Sequence, residues 1–500
     1  MEQMEKRKIN NSTAYRQITG TFKRYRGGIT VADVVAKTAL PLDTVRELVN
    51  DVADEYSAHV SVTESGEILY SFPSGFVSKY RGFKAVAGRA LGVIGRGLKT
   101  VAKALFKVWI MLMLIGYFVL FMLIALAALL ISVAGNSSNS NSRHNNSGGG
   151  LFFASGMFNF IIRIWFYSEL ARSFDGRSYA YGSVKKAPKG KPLYKAIFSF
   201  VFGDGDPNAA IETRTRQALI AYIQANKGVI SLPEFMILTG TSGGEADSLI
   251  GSYCAEYGGM PEATDDGTVI YRFDALLLRT DRKDRSFGGF SVPLKQLKQF
   301  SSNLKKMNVW FCIINSINLI FGSYFFINAS NSGHILTQES FNAASYLYGV
   351  TYVLMHHFIE NPLPVIFIGL GIVPFIFSLF FWFIPLVRFA LLKKDNEKIK
   401  LENLRKTAFM TIWDNPDTVK TSDIKSDLKE CHPKNIAAAR EQIIKDMGVY
   451  SIPDVKVNES GETVYVFKEL DREKTALAKY RAGINSQDSE LGKIVFNTDE

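Results

Sequence analysis

Two kinds of hydrophobic pattern alternate along the chain. In the first kind, apolar residues form long runs with almost no charge, at 108–134, 151–169, 308–328 and 362–388. In the second kind, apolar residues recur at helical spacing among polar ones, or alternate with them over short stretches. About 20 apolar residues cross a bilayer. The long runs therefore predict four transmembrane helices, and the shorter patterns predict α+β domains outside the membrane.

Lysine and arginine are distributed asymmetrically around the four runs. The loop 135–150 has only Arg143 and the loop 329–361 has neither residue type, whereas the other flanks are rich in both. Cytoplasmic loops carry the excess of Lys and Arg. We therefore expect two transmembrane hairpins in the cell (inner) membrane, with both termini and segment 170–307 in the cytoplasm. A further apolar stretch, 341–359, would disturb this topology as a fifth span, and we interpret it as an interfacial or re-entrant helix on the outer side.

Three short stretches share one pattern. Residues 62–72, 263–273 and 457–467 each contain an acidic turn with a glycine between alternating apolar residues, which predicts a β-hairpin. Upstream of each hairpin, the spacing predicts a helix, a short extended piece and two more helices, such as 31–38 after the N-cap Thr30. This order is typical of a winged helix, so the sequence predicts three winged-helix-like domains.

The predicted fold class is membrane α-helical plus α+β, with four transmembrane helices in two hairpins and three cytoplasmic winged-helix-like domains. The turn glycines Gly66, Gly267 and Gly461 are almost evenly spaced, which favours duplication of a winged helix plus a hairpin of spans. The predicted segments are winged-helix-like domain 1 (1–78), a basic amphipathic collar (79–107), transmembrane hairpin 1 (108–169) with a flexible outer linker (135–150), a basic linker and apolar motif (170–204), winged-helix-like domain 2 (205–278), a second basic collar (279–307), transmembrane hairpin 2 (308–388) with the outer helix 341–359, winged-helix-like domain 3 (389–475) and a flexible tail (476–500).

The collar 79–107 has apolar residues at roughly helical spacing with cations between them. A basic amphipathic helix lies in the membrane interface and attracts anionic lipids; alternatively, the cations serve only to orient the insertion. Residues 290–306 repeat the pattern, with Phe290, Leu294, Leu297, Phe300 and Leu304 on the apolar side. The lipid-facing cations of the first collar are Lys79, Arg81, Lys84, Arg89, Arg96, Lys99, Lys103 and Lys107.

The third helix of a winged helix often binds DNA, but here the charges oppose that role. In the first copy this helix has five acidic residues and one basic residue, Arg46, and in the second copy it has no basic residue. Acidic side chains repel a phosphate backbone, so nucleic acid is a disfavoured partner. We expect these helices to bind the protein itself or a partner protein through the acidic helix faces, defined by Arg46, Glu47, Asp51, Glu245 and Asp247.

Composition narrows the chemistry further. The 500 residues carry a formal net charge of +11 and three widely separated cysteines, Cys254, Cys312 and Cys431. These exclude a disulfide framework and a dense thiolate metal site. The chain has no Walker loop, nucleophile elbow, zinc-protease or dinucleotide-binding motif. We therefore predict no catalytic residue, no cofactor and no enzymatic activity.

Two small groups contain residue types that bind metals. Asp204 and Asp206 lie in a glycine-rich turn, and His356, His357 and Glu360 end the stretch 341–359. We interpret the first group as a structural turn and cap and the second as the polar end of an interfacial helix, with a metal site as the alternative for each.

Two amides interrupt the third apolar run. Asn315 and Asn318 are expected to join helices by hydrogen bonds; the alternative is that they line a small polar path.

The motif FSFVFGDGDPN at 198–208, followed by a helix and the entry N-x-G-V-I at 226–230, resembles a poorly characterised family of membrane proteins found in bacteria and plastids. The resemblance covers 190–275 best and the layout of the rest more loosely, and the family has no established activity. Some plastid members carry a label connected with iron–sulfur cluster assembly, which the dispersed cysteines of this chain do not support.

Three functions therefore remain open. The first is an integral membrane scaffold or regulatory protein that presents winged-helix-like domains for interaction with itself or a partner. The second is a membrane-anchored DNA-binding regulator, and the third is an oligomeric small transporter or channel.

Overall fold

The computed structural model of the chain is mostly helical, with three small β-sheets. The second predicted transmembrane run, 151–169, lies outside the described residues, as do most of the first collar and of the linker 135–150. The structure describes residues 2–25, 27–72, 76, 78, 79, 97, 98, 100–136, 191–280, 292–331, 345–424, 427–457, 459, 461–484 and 491–498.

The described helices and strands are numbered here in chain order. The helices are α1 (Glu2–Arg24), α2 (Val31–Thr38), α3 (Leu42–Glu55), α4 (Thr100–Ser132), α5 (Leu193–Phe202), α6 (Ile211–Ala225), α7 (Leu232–Thr239), α8 (Gly243–Tyr257), α9 (Lys305–Ser330), α10 (Tyr346–His356), α11 (Val365–Asp414), α12 (Ile436–Gly448) and α13 (Lys468–Gly483). The strands are β1 (His59–Thr63), β2 (Ile68–Ser71), β3 (Val229–Ser231), β4 (Met260–Ala263), β5 (Val269–Arg272), β6 (Val419–Lys420), β7 (Asp454–Val457), β8 (Thr463–Val466) and β9 (Ile494–Asn497).

The chain forms two compact units. One unit, called the α/β unit, consists of Met1–Arg89, Asp206–Lys298 and Lys394–Glu500. The other, called the apolar-helix unit, consists of Ala90–Gly205 and Gln299–Lys393. All of the described strands belong to the α/β unit.

The three predicted hairpins of the α/β unit are confirmed. Strands β1 and β2, β4 and β5, and β7 and β8 pair antiparallel. The turn glycines Gly66, Gly267 and Gly461 have φ angles of 78°, 79° and 76°, a left-handed conformation that favours glycine. In each copy a short piece upstream of the hairpin pairs with its second strand: Ile29 with Tyr70, β3 with β5, and β6 with β8.

The helices of the first copy follow local sequence signals. The side chain of Thr30 accepts the backbone N–H of Asp33 and so caps α2, as predicted. The carboxylate of Asp33 accepts the backbone N–H of Thr30 in turn, which completes a capping box. The apolar positions of α3 recur at helical spacing and all five are buried, which places its polar residues on the opposite face. The buried α3 residues are Leu42, Val45, Leu48, Val49 and Val52.

The third copy departs from the predicted order. Between β6 and α12 the described residues form two 3₁₀ turns, Thr421–Asp423 and Lys429–Cys431, where the second helix was predicted. This stretch lacks a continuous apolar face, and Pro433 disfavours helix just before α12. Ile424 and Cys431 are buried and hold the irregular stretch against the core.

The prediction of a flexible tail at 476–500 is wrong for much of its length. Residues up to Gly483 belong to α13, which buries Leu470, Ala476 and Leu477. Strand β9 then pairs antiparallel with β1, giving the sheet order β2-β1-β9. The sequence suggested a tail because its apolar residues are sparse, but three of them suffice to dock one face of α13.

Buried residues from all three copies form one continuous hydrophobic core in the α/β unit. Ile18 and Val45 represent the first copy, Ile220 and Phe235 the second, and Phe409 the third. The three copies are therefore parts of a single packed body.

Three of the described helices are long and apolar enough to cross a membrane: α4, α9 and α11. The apolar-helix unit contains α4, α9 and the part of α11 up to Lys393. Helices α9 and α11 pack closely, because a Cβ atom on Gly322 would lie 2.9 Å from the backbone nitrogen of Phe375. Helix α10 has eleven residues and rises about 16 Å, half of the roughly 30 Å apolar core of a bilayer. It is too short to span; its interfacial or re-entrant position stays a prediction.

Candidate interaction surface

The acidic helix faces lie on the outside of the α/β unit. Arg46, Glu47 and Asp51 on α3, and Glu245 and Asp247 on α8, are all exposed. Arg46 makes an ion pair with Asp43 at 4.0 Å, with both side chains largely in solvent. Such a pair is weak. These residues therefore present an accessible negative surface rather than part of the core.

The first and second copies are joined at α2. The hydroxyl of Tyr257 donates to the carbonyl oxygen of Ala39 at 3.0 Å, and the side-chain amide of Gln217 donates to that of Lys37 at 2.6 Å. The backbone N–H and the hydroxyl of Thr280 donate to Asp33 at 3.0 and 2.7 Å. The second copy thus satisfies polar groups at both ends of α2 that a free helix leaves to water.

A buried ion pair joins the second copy to α13. Glu234 is only 1% exposed, and Arg481 donates to both of its carboxylate oxygens at 2.8 and 2.7 Å. Tyr222 donates to the same carboxylate at 2.6 Å. Burial and the neighbouring Glu234 raise the pKa of Tyr222 above its ordinary value, so it stays a donor. The S-x-x-E spacing of Ser231 and Glu234 was a capping-box signal that the sequence analysis missed.

A second buried carboxylate lies on α13. Glu473 is 7% exposed, and only one of its oxygens accepts a hydrogen bond, from the hydroxyl of Tyr450 at 2.6 Å. Burial raises the pKa of Glu473 from 4.5 to about 7, and the charge of Glu234 adds to this rise, although the Tyr450 hydrogen bond opposes it. Glu473 thus changes charge near neutral pH, which no sequence signal indicated.

The second collar is not helical in the described residues 292–304. Two asparagine side chains each form two hydrogen bonds with one residue of this extended segment, accepting its backbone N–H and donating to its carbonyl. Asn403 binds Lys295 in this way at 2.9 and 2.8 Å, and Asn396 binds Lys298 at 2.9 Å in both bonds. The helical expectation for 290–306 was wrong because these bonds satisfy an extended backbone.

Other contacts agree with an extended segment that is held against the rest of the α/β unit. The side chain of Asn208 likewise accepts the backbone N–H of Gln296 and donates to its carbonyl, at 2.8 Å in both bonds. The lysines of this segment are also engaged, because Lys295 pairs with Glu402 and Lys298 pairs with Asp395 at 3.0 Å. Two cations of the second collar are therefore bound to carboxylates.

The motif 198–208 ends helix α5 and holds its neighbours. Asp204 accepts bonds from the N–H and hydroxyl of Ser302, both at 2.7 Å, from Ser199 at 2.8 Å and from Lys191. Burial alone would raise the pKa of Asp204, but these bonds outweigh it and hold the pKa well below its usual range. Since four donors surround this carboxylate, the geometry favours a turn and cap over a metal ligand.

The rest of the motif has the same structural character. Asp206 accepts the backbone N–H of Asn208 at 2.9 Å, a short-range turn bond. In the apolar-helix unit, Arg388 donates to the carbonyl oxygens of Phe200 and Val201 at 2.8 Å each and also contacts the carbonyl of Phe300. Arg388 thereby satisfies the last carbonyls of α5.

The amides of the third apolar run connect helices. Asn315 and Asn318 are fully buried. Asn315 donates to the carbonyl of Ser378 on α11 at 3.0 Å, and Asn318 donates to that of Leu114 on α4 at 2.7 Å. Their side-chain oxygens have no hydrogen-bond partner among the described residues. The bonds agree with helix association, and the free oxygens leave the polar path open as an alternative.

The histidine group is solvent-facing. His356, His357 and Glu360 are exposed at the end of α10 and after it, and the ring of His356 stacks on Tyr352 with centroids 6.0 Å apart. Within the described part of the chain, no three His, Cys, Asp or Glu side chains come together as a metal site would require.

The first collar is described only in part. Lys79 lies 3.7 Å from Asp54, and Lys103 and Lys107 lie on α4, where the ammonium of Lys107 sits 4.5 Å from the ring centre of Phe198. Arg81, Lys84, Arg89, Arg96 and Lys99 lie outside the described residues.

An apolar cavity of about 490 Å³ lies within the apolar-helix unit between α4, α10 and α11. Two π-helical segments, Leu112–Gly116 and Val365–Ile372, each contribute lining residues. The hydroxyl of Tyr117, which also lines it, is bound to the carbonyl of Gly369 at 2.9 Å. The cavity offers apolar surface and little polar chemistry.

Comparison with known proteins gives one distant relative. No protein-family model matches the chain, and no solved structure matches it significantly. The chain is 23% identical over 476 residues to the uncharacterized chloroplastic protein At5g03900 of Arabidopsis thaliana, a match that covers 89% of this chain and 80% of the relative. The similarity agrees with a distant relationship to a plastid protein.

Proposed function

We propose that the protein is an integral membrane scaffold or regulatory protein, whose winged-helix-like domains bind one another and present the acidic helix faces to a protein partner. The observation that carries the proposal is the shared core of the α/β unit, from which α3 and α8 still expose their acidic residues. A catalytic protein needs convergent reactive groups. Here the buried polar groups serve to join the copies.

The proposed architecture includes a winged-helix fold for each copy, duplication of that unit and four transmembrane helices. Each copy is read as a winged helix because a short piece and a following hairpin form one sheet in the order first, third, second strand. The repeated order supports duplication. Four transmembrane helices in two hairpins, with 151–169 as the second, would keep the α/β unit on the cytoplasmic side of a cell membrane, as the Lys and Arg distribution predicts.

The first collar is proposed to bind anionic lipid headgroups. Its cations precede the uncharged run 108–134 in sequence, where the excess of Lys and Arg flanks a membrane helix and can attract anionic lipids. The pairing of Lys295 and Lys298 with carboxylates gives the second collar less support for this role.

The two alternatives have less support. A DNA-binding regulator would need basic third helices, whereas α3 and α8 are acidic on their exposed faces. A transporter or channel would need a polar path, and the amide nitrogens of Asn315 and Asn318 are committed to carbonyls of neighbouring helices.

Site-specific crosslinking of the full-length protein in its membrane tests the scaffold function. Photo-crosslinking residues replace Glu47 on α3 and Glu245 on α8, and a matched control replaces Thr475, which is exposed on α13. We expect one discrete protein to be captured from the two acidic positions and not from the control. Charge reversal at the neighbouring Asp51 or Asp247 should weaken that capture, because the proposed contact is electrostatic.

Two results would contradict the proposal. Crosslinks confined to this chain or to a second copy would reject recruitment of another protein through α3 and α8. Salt-dependent binding of duplex DNA by the full-length protein, lost on further acidification of α3, would favour the DNA-binding alternative instead.

A further inference from the structure

The first strand of each hairpin has an outer edge, the one that faces away from the second strand. The three hairpins differ in what covers or protects this edge. Six residues before each turn glycine stand Val60, Pro261 and Val455. In an antiparallel pair, alternate residues point their N–H and C=O groups away from the partner strand. The backbone N–H of Thr63 donates to the carbonyl of Glu67, on the side of β2. Because the direction alternates along the strand, the backbone N–H and C=O of Val60 point away from β2. The identical spacing gives Pro261 and Val455 the same outward position.

The first edge is covered by the chain itself. Strand β9 lies along β1, and Thr498 donates its backbone N–H to the carbonyl of Val60 at 3.1 Å. The N–H of Val60 in turn donates to the hydroxyl of Thr498 at 3.1 Å. The molecule thus shows that this edge accepts an added antiparallel strand.

The second edge is protected by its sequence. Pro261 has no N–H to donate outward, and proline on an edge strand is a common device against strand addition.

In the part of the chain that the structure describes, the third edge, β7, has no strand on it and no proline within its bounds, although Pro453 stands directly before it. Among the described residues no strand lies on its outer side, and the sheet order is β6-β8-β7. Val455 and Val457 are 62% and 72% exposed, and the adjoining Val449 and Ile452 are 74% and 82% exposed. An unpaired edge beside exposed apolar side chains marks an interaction site.

We propose that β7 pairs antiparallel with β7 of a second copy of this chain, with Val455 opposite Val455 of the partner subunit. This inference rests on the proposed scaffold function and names the chain itself as one of its partners. A twofold axis makes such an interface self-complementary. The added strand gives two backbone hydrogen bonds between the paired Val455 residues. The N–H of Val457 can donate to the carbonyl of the partner subunit's Pro453, which has no N–H to return, and the added strand covers the exposed apolar side chains.

Charge selects this register. With Val455 on the axis, Asp454 faces the partner's Lys456, and Lys456 faces the partner's Asp454. Shifting the axis by one residue places Lys456 opposite Lys456 of the partner subunit, which is repulsive. Asp454 already binds Lys468 through one carboxylate oxygen, at 2.6 Å, which leaves its other oxygen for the partner's lysine.

Disulfide trapping in the full-length protein tests the register. Directly opposite residues in a hydrogen-bonded pair have Cα atoms about 5.5 Å apart, within the range that a disulfide spans. We expect Val455→Cys to give a covalent dimer under mild oxidation. Lys456→Cys reports the shifted register, and the unsubstituted chain, with its three native cysteines, reports the background. A dimer at or below that background for Val455→Cys, or a stronger dimer from Lys456→Cys, would overturn the proposed pairing.

Charge variants supply an independent readout that does not require a new cysteine. Asp454→Lys alone and Lys456→Glu alone should each weaken the dimer in detergent, because like charges then face each other. Mixing these two variants should restore it, since every pair is again opposite in sign. Val455→Pro, which copies Pro261, should abolish it. Unchanged dimerisation in all three variants would place the interface elsewhere.

The outcomes separate this inference from the scaffold function. Capture of a partner from Glu47 and Glu245, together with a monomer that Val455→Cys does not trap, would keep the scaffold and reject the strand pairing. A trapped dimer without capture from the acidic faces would keep the pairing and reject recruitment.

Discussion

The α/β unit and the apolar-helix unit bury polar side chains by different means. In the α/β unit, the carboxylate of Glu234 is matched by the guanidinium of Arg481. In the apolar-helix unit, the fully buried Asn315 and Asn318 donate neutral amide N–H groups to backbone carbonyls of other helices. At these two sites, one core pairs a charge with a charge, and the other uses uncharged donors.

The difference agrees with the surroundings proposed for each unit, a membrane for the apolar-helix unit and water for the α/β unit. A charge in the apolar part of a membrane is expensive, so a spanning helix gains cohesion from neutral groups and close packing. A unit in water can bury a charge if an opposite charge and further hydrogen bonds accompany it, but removal of one partner is then severe. Substitutions in the two units should therefore differ in cost.

The largest effect is expected at the buried ion pair. Arg481→Met leaves the carboxylate of Glu234 buried without its cation and should lower the free energy of unfolding of the α/β unit by about 3–5 kcal/mol. Denaturant unfolding of the purified protein measures this loss. The double variant Glu234→Gln, Arg481→Met removes both charges and serves as the control with a smaller loss. A loss below about 1 kcal/mol in the single variant would show that Arg481 is dispensable.

The next effect depends on pH and concerns Glu473. Its pKa is raised in the folded state, from 4.5 to about 7, so the folded state favours the protonated form. The stabilisation is fully present below pH 4.5 and is lost as pH rises through 7. At about 1.4 kcal/mol per pKa unit, the loss is roughly 3 kcal/mol.

Substitution of Glu473 by a neutral isostere checks this pH dependence. Glu473→Gln should remove it and should be more stable than the unsubstituted protein at pH 8. Unfolding curves at pH 5 and pH 8 measure both effects. Equal stability changes with pH in the two proteins would assign the titration to another group.

The smallest effect is expected in the apolar-helix unit. Asn318→Leu removes the bond to the carbonyl of Leu114 and should cost only about 0.5–2 kcal/mol, since interhelical hydrogen bonds in membranes are modest. Thermal unfolding in detergent measures the change. Ser323→Ala is the matched control, because Ser323 bonds only to Leu319 within α9. A cost for Asn318→Leu above that for Arg481→Met would reverse the comparison between the units.

Local sequence signals predicted a large part of the α/β unit. The capping residue Thr30 and the apolar spacing of α3 depend on neighbours within one or two turns, and the hairpin turns depend on a glycine and the strands beside it. Each of these rules operates over a few residues, which explains why the bounds of α2 and α3 and the three hairpins agree with the structure.

Elements that depend on distant partners were predicted incorrectly. The segment 292–304 has apolar spacing that suggests a helix, but Asn396 and Asn403, about a hundred residues away, hold it extended. Helix α13 and strand β9 lie where a tail was expected, because α13 is buried in the core shared with the other copies and β9 pairs with the distant strand β1. The acidic helix faces were found from sequence, whereas Glu234 and Arg481 were not recognised as a pair.

The sequence by itself determined which segments are apolar enough to span a membrane, where the hairpins turn and which helix faces are acidic, because all of these follow from residue type at short spacing. Only the tertiary structure decided that the three copies share one core and that Glu473 is buried, which raises its pKa to about 7. It also decided that, among the described residues, no strand pairs with the outer edge of β7. Each of these depends on which distant groups approach or fail to approach a residue, and burial, charge pairing and edge protection arise only from that approach.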